Sequence, residues 1–176
     1  MQLAFVLFKY FPYGGLQRAM LRIAAACQTL GYERHVYTLS WQGDIPEGFH
    51  VHRLSARGVR NYVRYRNFIK QLQRQLQQNP VAAVIGFNRM SGLDVYYAAD
   101  PCFRQEHVEN RSRLVWLLGR YRFFLQQEQA VFGAGSKTLV LMISALQLRY
   151  YQHYYATPES RIRMLPPGIS RDRMAP

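Results

Sequence analysis

Two places along the chain combine residue types that could do chemistry. The first is Phe11-Pro12-Tyr13-Gly14-Gly15, which follows the apolar run Leu3–Phe8 and precedes a segment of helical period. Two glycines at the carboxyl end of a first strand let a ligand approach the backbone closely. The helix start beyond them offers free N–H groups and a positive dipole end to an anion. The spacing is neither the G-x-G-x-x-G dinucleotide fingerprint nor a lysine-bearing P-loop. A tight turn needing positive φ would use the same residues. The second place is Asp100, which closes the run Asp94-Val95-Tyr96-Tyr97-Ala98-Ala99-Asp100 before Pro101. A carboxylate at the end of an apolar strand can bind a hydroxyl or act in catalysis, and it can equally cap the next segment. Asp94 reads as structural.

No metal site is expected. The five histidines (His35, His50, His52, His107, His153) have no H-E-x-x-H or comparable spacing. His50-x-His52 would share one face of a strand, but the spacing shows no third ligand. Cys27 and Cys102 are far apart and outside any C-x-x-C motif, which predicts a reduced compartment. The apolar start has no basic flank and reads as a buried strand rather than a signal peptide. No apolar run approaches the roughly twenty residues that span a bilayer. The expected location is the cytoplasm, with any membrane contact peripheral.

The elements that must position these residues follow from period. Leu3–Phe8 is a strand; Leu16, Met20, Ile23, Ala24 and Cys27 share a helical face that Gly31 ends; Arg34–Leu39 is a second strand. A strand near Phe49–Leu54, a helix over Tyr62–Gln78 and a strand over Val81–Ile85 follow. The glycine-punctuated loop Gly86–Gly92 then leads into Leu93–Ala99. A long helix over Ser112–Phe132, a strand over Lys137–Ile143, a helix over Ala145–Tyr155 and a strand over Arg161–Leu165 complete the chain. Alternating strands and helices predict an α/β, doubly wound, mostly parallel sheet, with ligands at the carboxyl ends of its strands.

Charge narrows the partners. The 176 residues carry 23 Lys and Arg against 10 Asp and Glu, a net charge of +13. Such a field favours phosphate-bearing partners: nucleic acid, anionic lipid or a phosphorylated substrate. From His50 to Leu93 no acidic residue occurs, while eight basic ones do, from Arg53 to Arg89. A second cluster, Arg104, Arg111, Arg113, Arg120 and Arg122, surrounds Leu114-Val115-Trp116-Leu117-Leu118 and Tyr121, Phe123, Phe124, Leu125. Leu114, Leu117, Leu118, Tyr121 and Leu125 suit a core-facing stripe, whereas Val115, Trp116 and Phe123 fall outside it. That pattern suits an interfacial membrane helix and also a helix buried between two layers. No nucleic-acid-binding motif accompanies the arginines, and nucleic acid is not an expected partner.

The chain resembles the bacterial lipopolysaccharide core glucosyltransferases that add glucose to the first inner-core heptose. The resemblance begins at Lys9–Arg18 and returns at Val36-Tyr37-Thr38. It is densest at Ile85-Gly86-Phe87-Asn88-Arg89-Met90 and Gly92–Asp100, and it continues through Arg120-Tyr121-Arg122 to Leu165-Pro166-Pro167-Gly168-Ile169. It implies a retaining transferase of the GT-B fold using UDP-glucose, without metal or other cofactor. The Rossmann-like N-terminal domain, residues 1–165 here, would bind the acceptor, and residues 166–176 would begin the linker. By the same resemblance, Gly14 and Gly15 belong to a loop that closes over the donor sugar and diphosphate, Asp100 lies near the reacting sugar, and Asn88 and Arg89 sit in a loop that faces the same cleft. Arg113, Trp116, Arg120, Arg122 and Phe123 belong to the membrane-binding region, on the cytoplasmic face of the inner membrane.

Two departures stand out. Ala19 occupies a position where the family usually has an acid, which removes a donor contact. The two glutamates separated by seven residues that mark the family's C-terminal nucleotide-binding domain have no counterpart among the six glutamates here. The expectation is therefore the acceptor-binding, membrane-docking half of the transferase, with little transfer activity alone. Its partners would be the inner-core acceptor, an anionic membrane and the missing nucleotide-binding domain. The other reading is a non-catalytic basic module that binds anionic membranes.

Overall fold

The computed structural model describes residues 1–107 and 117–165. In chain order the elements are β1 (Gln2–Val6), β2 (Lys9–Tyr10), α1 (Gly15–Thr29), β3 (Glu33–Thr38), β4 (Ser40–Trp41), β5 (Phe49–Arg53), α2 (Asn61–Gln78), β6 (Ala83–Gly86), β7 (Val95–Ala98), α3 (Phe103–His107), α4 (Gly119–Phe132), β8 (Leu139–Met142), α5 (Ala145–Tyr155) and β9 (Ile162–Met164). Seven strands make one sheet in the order β5-β3-β1-β6-β7-β8-β9, and every pair is parallel. This is the doubly wound, Rossmann-like architecture expected. The chain reverses its direction of winding between β1 and β6, which makes that boundary the switch point where such sheets bind ligands.

The continuous apolar reading of β1 has a simple cause. Ala4 and Val6 point into one core with Phe68, Leu72, Val131 and Tyr151, under α2, α4 and α5. Leu3, Phe5 and Leu7 point into the other with Met20 and Ala24 of α1. A strand covered on both faces needs apolar side chains at every position. Gly86, which ends β6, is fixed by packing: a Cβ there would lie 2.3 Å from Leu93 Cδ1.

Strand and helix boundaries follow the periodicity closely, and three features do not. The two-stranded pair β2–β4 extends the β1–β3 layer past a bend, with Tyr10 stacked on Trp41 at 3.6 Å. The short helix α3 was not anticipated. The third difference concerns the long helix expected over Ser112–Phe132: its described part starts at Gly119, and residues 108–116 lie outside the described residues. Starting there resets the phase. Leu117 and Leu118, expected to face the core, are 72% and 54% exposed, whereas Phe123, expected at the membrane surface, is only 6% exposed. The buried face of α4 is Phe123, Gln127, Glu128, Val131 and Phe132. Two polar residues in that face hid it from a hydrophobic period.

Those two residues hold the second half of the fold. Gln127 Oε1 accepts from the Ser91 amide at 2.9 Å. The Glu128 side chain is fully buried and collects four donors from three parts of the chain. Arg89, beyond β6, pairs with it; the Tyr155 hydroxyl of α5 donates to it; the amides of Phe103 and Arg104 in α3 donate at 2.7 and 3.0 Å. The Cys102 thiol lies at 3.9 Å, and burial together with Glu128 pushes it up to about 11, so it is not a reactive thiol. Burial works to lower the pKa of Arg89, and Tyr96, Glu128, Tyr151 and Asp100 together reverse this and raise it. The guanidinium therefore stays charged. Arg161 does comparable work at the end of α4, donating to the carbonyls of Val131, Phe132, Gly133 and Thr138.

At the other edge, the spacing His50-x-His52 gains a neighbour from β3. His35 stacks on His50 at 4.8 Å, and its Nδ1 is 3.0 Å from His52 Nε2. Among the described residues no group of three His, Cys, Asp or Glu is arranged to hold a metal ion. Burial first, then His35 and His50, lowers the pKa of His52 below its ordinary 6.5.

Two predictions follow from these clusters. Glu128→Leu leaves Arg89 as an unpaired buried charge and should cost about 3–5 kcal/mol in denaturant unfolding. Adding Arg89→Met should return part of that loss, because the two positions act as one unit. At His52, the folded chain is less protonated than the unfolded chain just below the ordinary His pKa. Stability should therefore rise as pH rises through that window and plateau above it. Thermal melts at about pH 5 and about pH 7.5 should differ in that direction, and His52→Gln should narrow the gap.

Candidate functional site

The switch point is built by the two loops that leave β1 and β6. The Phe8 amide donates to Asn88 Oδ1 at 2.8 Å, joining the loops across the top of the sheet. The Phe8 carbonyl accepts from the Leu39 amide at 3.0 Å and from the Thr38 hydroxyl at 3.2 Å. The chain then passes through β2 to the glycines. Gln17 is 5% exposed, and its amide nitrogen donates to the Lys9 carbonyl at 3.0 Å, which fastens α1 back onto the loop.

The tight-turn reading of the glycines does not hold. Gly14 is the N-cap of α1 with φ −77° and ψ 138°. Neither it nor Gly15 is among the described glycines of positive φ, which are Gly31, Gly43, Gly48, Gly58 and Gly92. The two have different uses. A Cβ at Gly14 would collide with the Gln17 amide and come within 2.8 Å of the Phe11 ring, so Gly14 makes room for the Gln17 strap. A Cβ at Gly15 would meet nothing within 4 Å. Gly15 opens the first turn of α1 to the crevice, with no side-chain cap and no acid in that turn. Bare N–H groups at a helix start suit an anion.

Asp100 stands on the next strand over from β6. Its carboxylate accepts from the Tyr96 hydroxyl at 3.4 Å, and its carbonyl accepts from Tyr151 at 3.1 Å. The side chain is half-buried at the carboxyl end of β7, with room left on the carboxylate for a further hydroxyl. Asp94 is structural as expected: Oδ2 accepts from the Val84 amide at 2.8 Å, and its own amide donates to the Val84 carbonyl.

Arg89 requires correction. Both residues lie beside the crevice, with Asn88 Oδ1 and the Arg89 guanidinium bonded within the protein. Asn88 Oδ1 is bonded to Phe8, and the Arg89 side chain, 14% exposed, is bonded to Glu128 and to the Pro101 carbonyl at 2.9 Å. Arg89 thus fixes the β6 loop against the Asp100–Pro101 loop rather than reaching toward an acceptor. Ala19 is 4% exposed in the core beneath α1. Phe123 is likewise a packing residue, against Tyr62 and Phe124. Arg120 and Arg122 are exposed at the start of α4, whereas Arg113 and Trp116 lie outside the described residues, as do 166–176. Sequence reasoning missed Gln17 and Glu128, and both act through side-chain bonds to distant backbone that no spacing rule records.

Among the described residues no helix is long and apolar enough to cross a membrane. Residues 13–173 match the family model described as Glycosyltransferase Family 4. The chain is 39% identical over 173 residues to the lipopolysaccharide glucosyltransferase WaaG of Escherichia coli (strain K12), covering 98% of this chain and 46% of that protein. The crystal structure of WaaG, a glycosyltransferase involved in lipopolysaccharide biosynthesis, superposes with a TM-score of 0.93 at 39% identity, covering 97% of this chain and 46% of that one. The chain thus spans about half the length of these relatives. A match over nearly all of its residues, on a parallel sheet with an open switch point, places the chain in Glycosyltransferase Family 4.

Proposed function

We propose that this chain is the acceptor-binding part of a retaining glycosyltransferase that moves glucose from UDP-glucose to an inner-core heptose of lipopolysaccharide. The observation that carries the reading is the correspondence with WaaG over 98% of the chain. The crevice geometry supports it. Gly15 and the first turn of α1 offer a bare surface and N–H groups to the donor's sugar and diphosphate, where a side chain would stand in the way. Asp100 accepts from an acceptor hydroxyl and orients it toward the sugar's reacting carbon, which converts a bimolecular encounter into a positioned one. In the transfer itself the anomeric C–O bond to the diphosphate breaks. A new C–O bond forms to the heptose oxygen, whose proton is lost, and UDP departs with the bonding electron pair. Charge on that leaving group is stabilised by donors aimed at it, some of them from the nucleotide-binding domain that this reading requires.

The start of α4 faces an anionic membrane in this reading, on the cytoplasmic side of the inner membrane. Arg120 and Arg122 are exposed beside the exposed Leu117 and Leu118. Basic heads flanking apolar side chains suit a headgroup layer.

Asp100→Ala should weaken binding of a heptosylated lipid A acceptor about tenfold or more, the effect of losing a bond to a charged acceptor; unchanged affinity would remove Asp100 from the site. Arg120→Glu with Arg122→Glu should shift co-sedimentation with phosphatidylglycerol vesicles by about 1 kcal/mol or more per reversed charge. Unchanged binding would place the docking surface elsewhere.

A further inference from the structure

A second concavity lies behind the switch point. The starts of α2 and α4 meet there: Tyr62 Oη lies over Gly119, where a Cβ would come within 3.2 Å. Between them is a cleft of about 640 Å³, within the range of small-ligand sites. Its walls carry two kinds of group. Arg60 and Arg120 bring guanidinium charge, and Tyr62, Tyr65, Tyr121 and Phe124 bring aromatic rings. Among the described residues neither Arg60 nor Arg120 is paired with an acid, and α2 contains no acid at all. One ring of the cleft packs against the loop that leaves β1. Tyr65 stacks on Phe8 at 3.9 Å and 7°, and Phe8 is the residue whose amide is bonded to Asn88.

We infer that this cleft binds a phosphorylated saccharide, as a subsite of the acceptor separate from the Asp100 crevice. Guanidinium groups bind phosphate through paired N–H donors and keep their charge at any physiological pH. Ring faces accept the C–H face of a pyranose, and the phenol hydroxyl of Tyr62 can bond its hydroxyls. A neutral sugar would leave the arginines unused, and an inorganic anion would leave the rings unused. In this reading one extended acceptor places a sugar near Asp100 and an anionic sugar in the cleft, whose Tyr65 packs on Phe8 of the loop that leaves β1. The identification as an acceptor subsite rests on the transferase reading; the ligand class rests on the cleft alone.

The test uses the 176-residue chain titrated with mannose 6-phosphate, mannose and inorganic phosphate, followed by calorimetry and by amide NMR shifts. Mannose 6-phosphate should bind saturably, about tenfold or more tighter than either fragment. Arg60→Gln and Tyr62→Ala, both at the helix start, should each weaken it about tenfold with an unchanged circular dichroism spectrum. Asp100→Ala should leave it unaltered, so loss of lipid-acceptor affinity in Asp100→Ala and loss of sugar-phosphate affinity in Arg60→Gln report the two readings separately. Equal binding of inorganic phosphate, no saturable binding, or full binding in both cleft variants overturns the inference. So does loss of binding in Asp100→Ala, which puts the ligand in the crevice. Phosphatidylglycerol vesicle binding abolished by Arg60→Gln, without sugar-phosphate binding, assigns the cleft to a lipid headgroup instead.

Discussion

The second half of this domain is organised around one buried carboxylate. Glu128 sits in a core where an isolated anion would be prohibitively costly. It is tolerated because Arg89, Tyr155 and two backbone amides of α3 converge on it. Every one of those donors comes from a different part of the chain than α4. The loop after β6, the segment after β7, and α5 are therefore held at one point. Both loops that frame the candidate site, the one carrying Asn88 and the one carrying Asp100, take their position from it. A purely apolar contact could hold the helices together, but it would not set the direction of the loops, since apolar packing is not directional.

Much of the fold was legible because parallel strands covered on both faces show as continuous apolar runs and α1 and α2 show a clear stripe. The α5 span Ala145–Tyr155 follows from its period, and the parallel sheet from the alternation of strands and helices. What was hidden has specific causes. The core face of α4 includes Gln127 and Glu128, so a hydrophobic stripe drawn through Leu117 and Leu118 took the wrong phase. The strands β2 and β4 are two residues each, too short for any period. Within the site, the glycines and Asp100 were visible as types at the ends of strands. Their division of labour was not: Gly14 gives way to Gln17, and only Gly15 opens to space.

The positive charge also divides on inspection. Arg34 is 4% exposed, lies over the Phe49 ring at 4.2 Å and donates to the Glu47 carbonyl. Arg89 and Arg161 are spent on Glu128 and on the last carbonyls of α4. These three serve the fold. Another group, Arg57, Lys70 and Arg74, lines a shallow basic groove on the outer side of α2. Among the described residues α2 carries Arg64, Arg66, Lys70 and Arg74 and α4 carries Arg120 and Arg122, so the positive field is strong on that side of the sheet and attracts an anionic partner there.

The Gln17 strap has a consequence for how a ligand is received. Because Gln17 ties α1 to Lys9, and Tyr10 is stacked on Trp41, the glycine segment is braced at both ends. It is a shaped floor, not a flap. Little conformational entropy is left to lose when something settles on Gly15, so the attraction of the helix start is retained as affinity. Any enclosing movement must be made by whatever faces this floor from the opposite side.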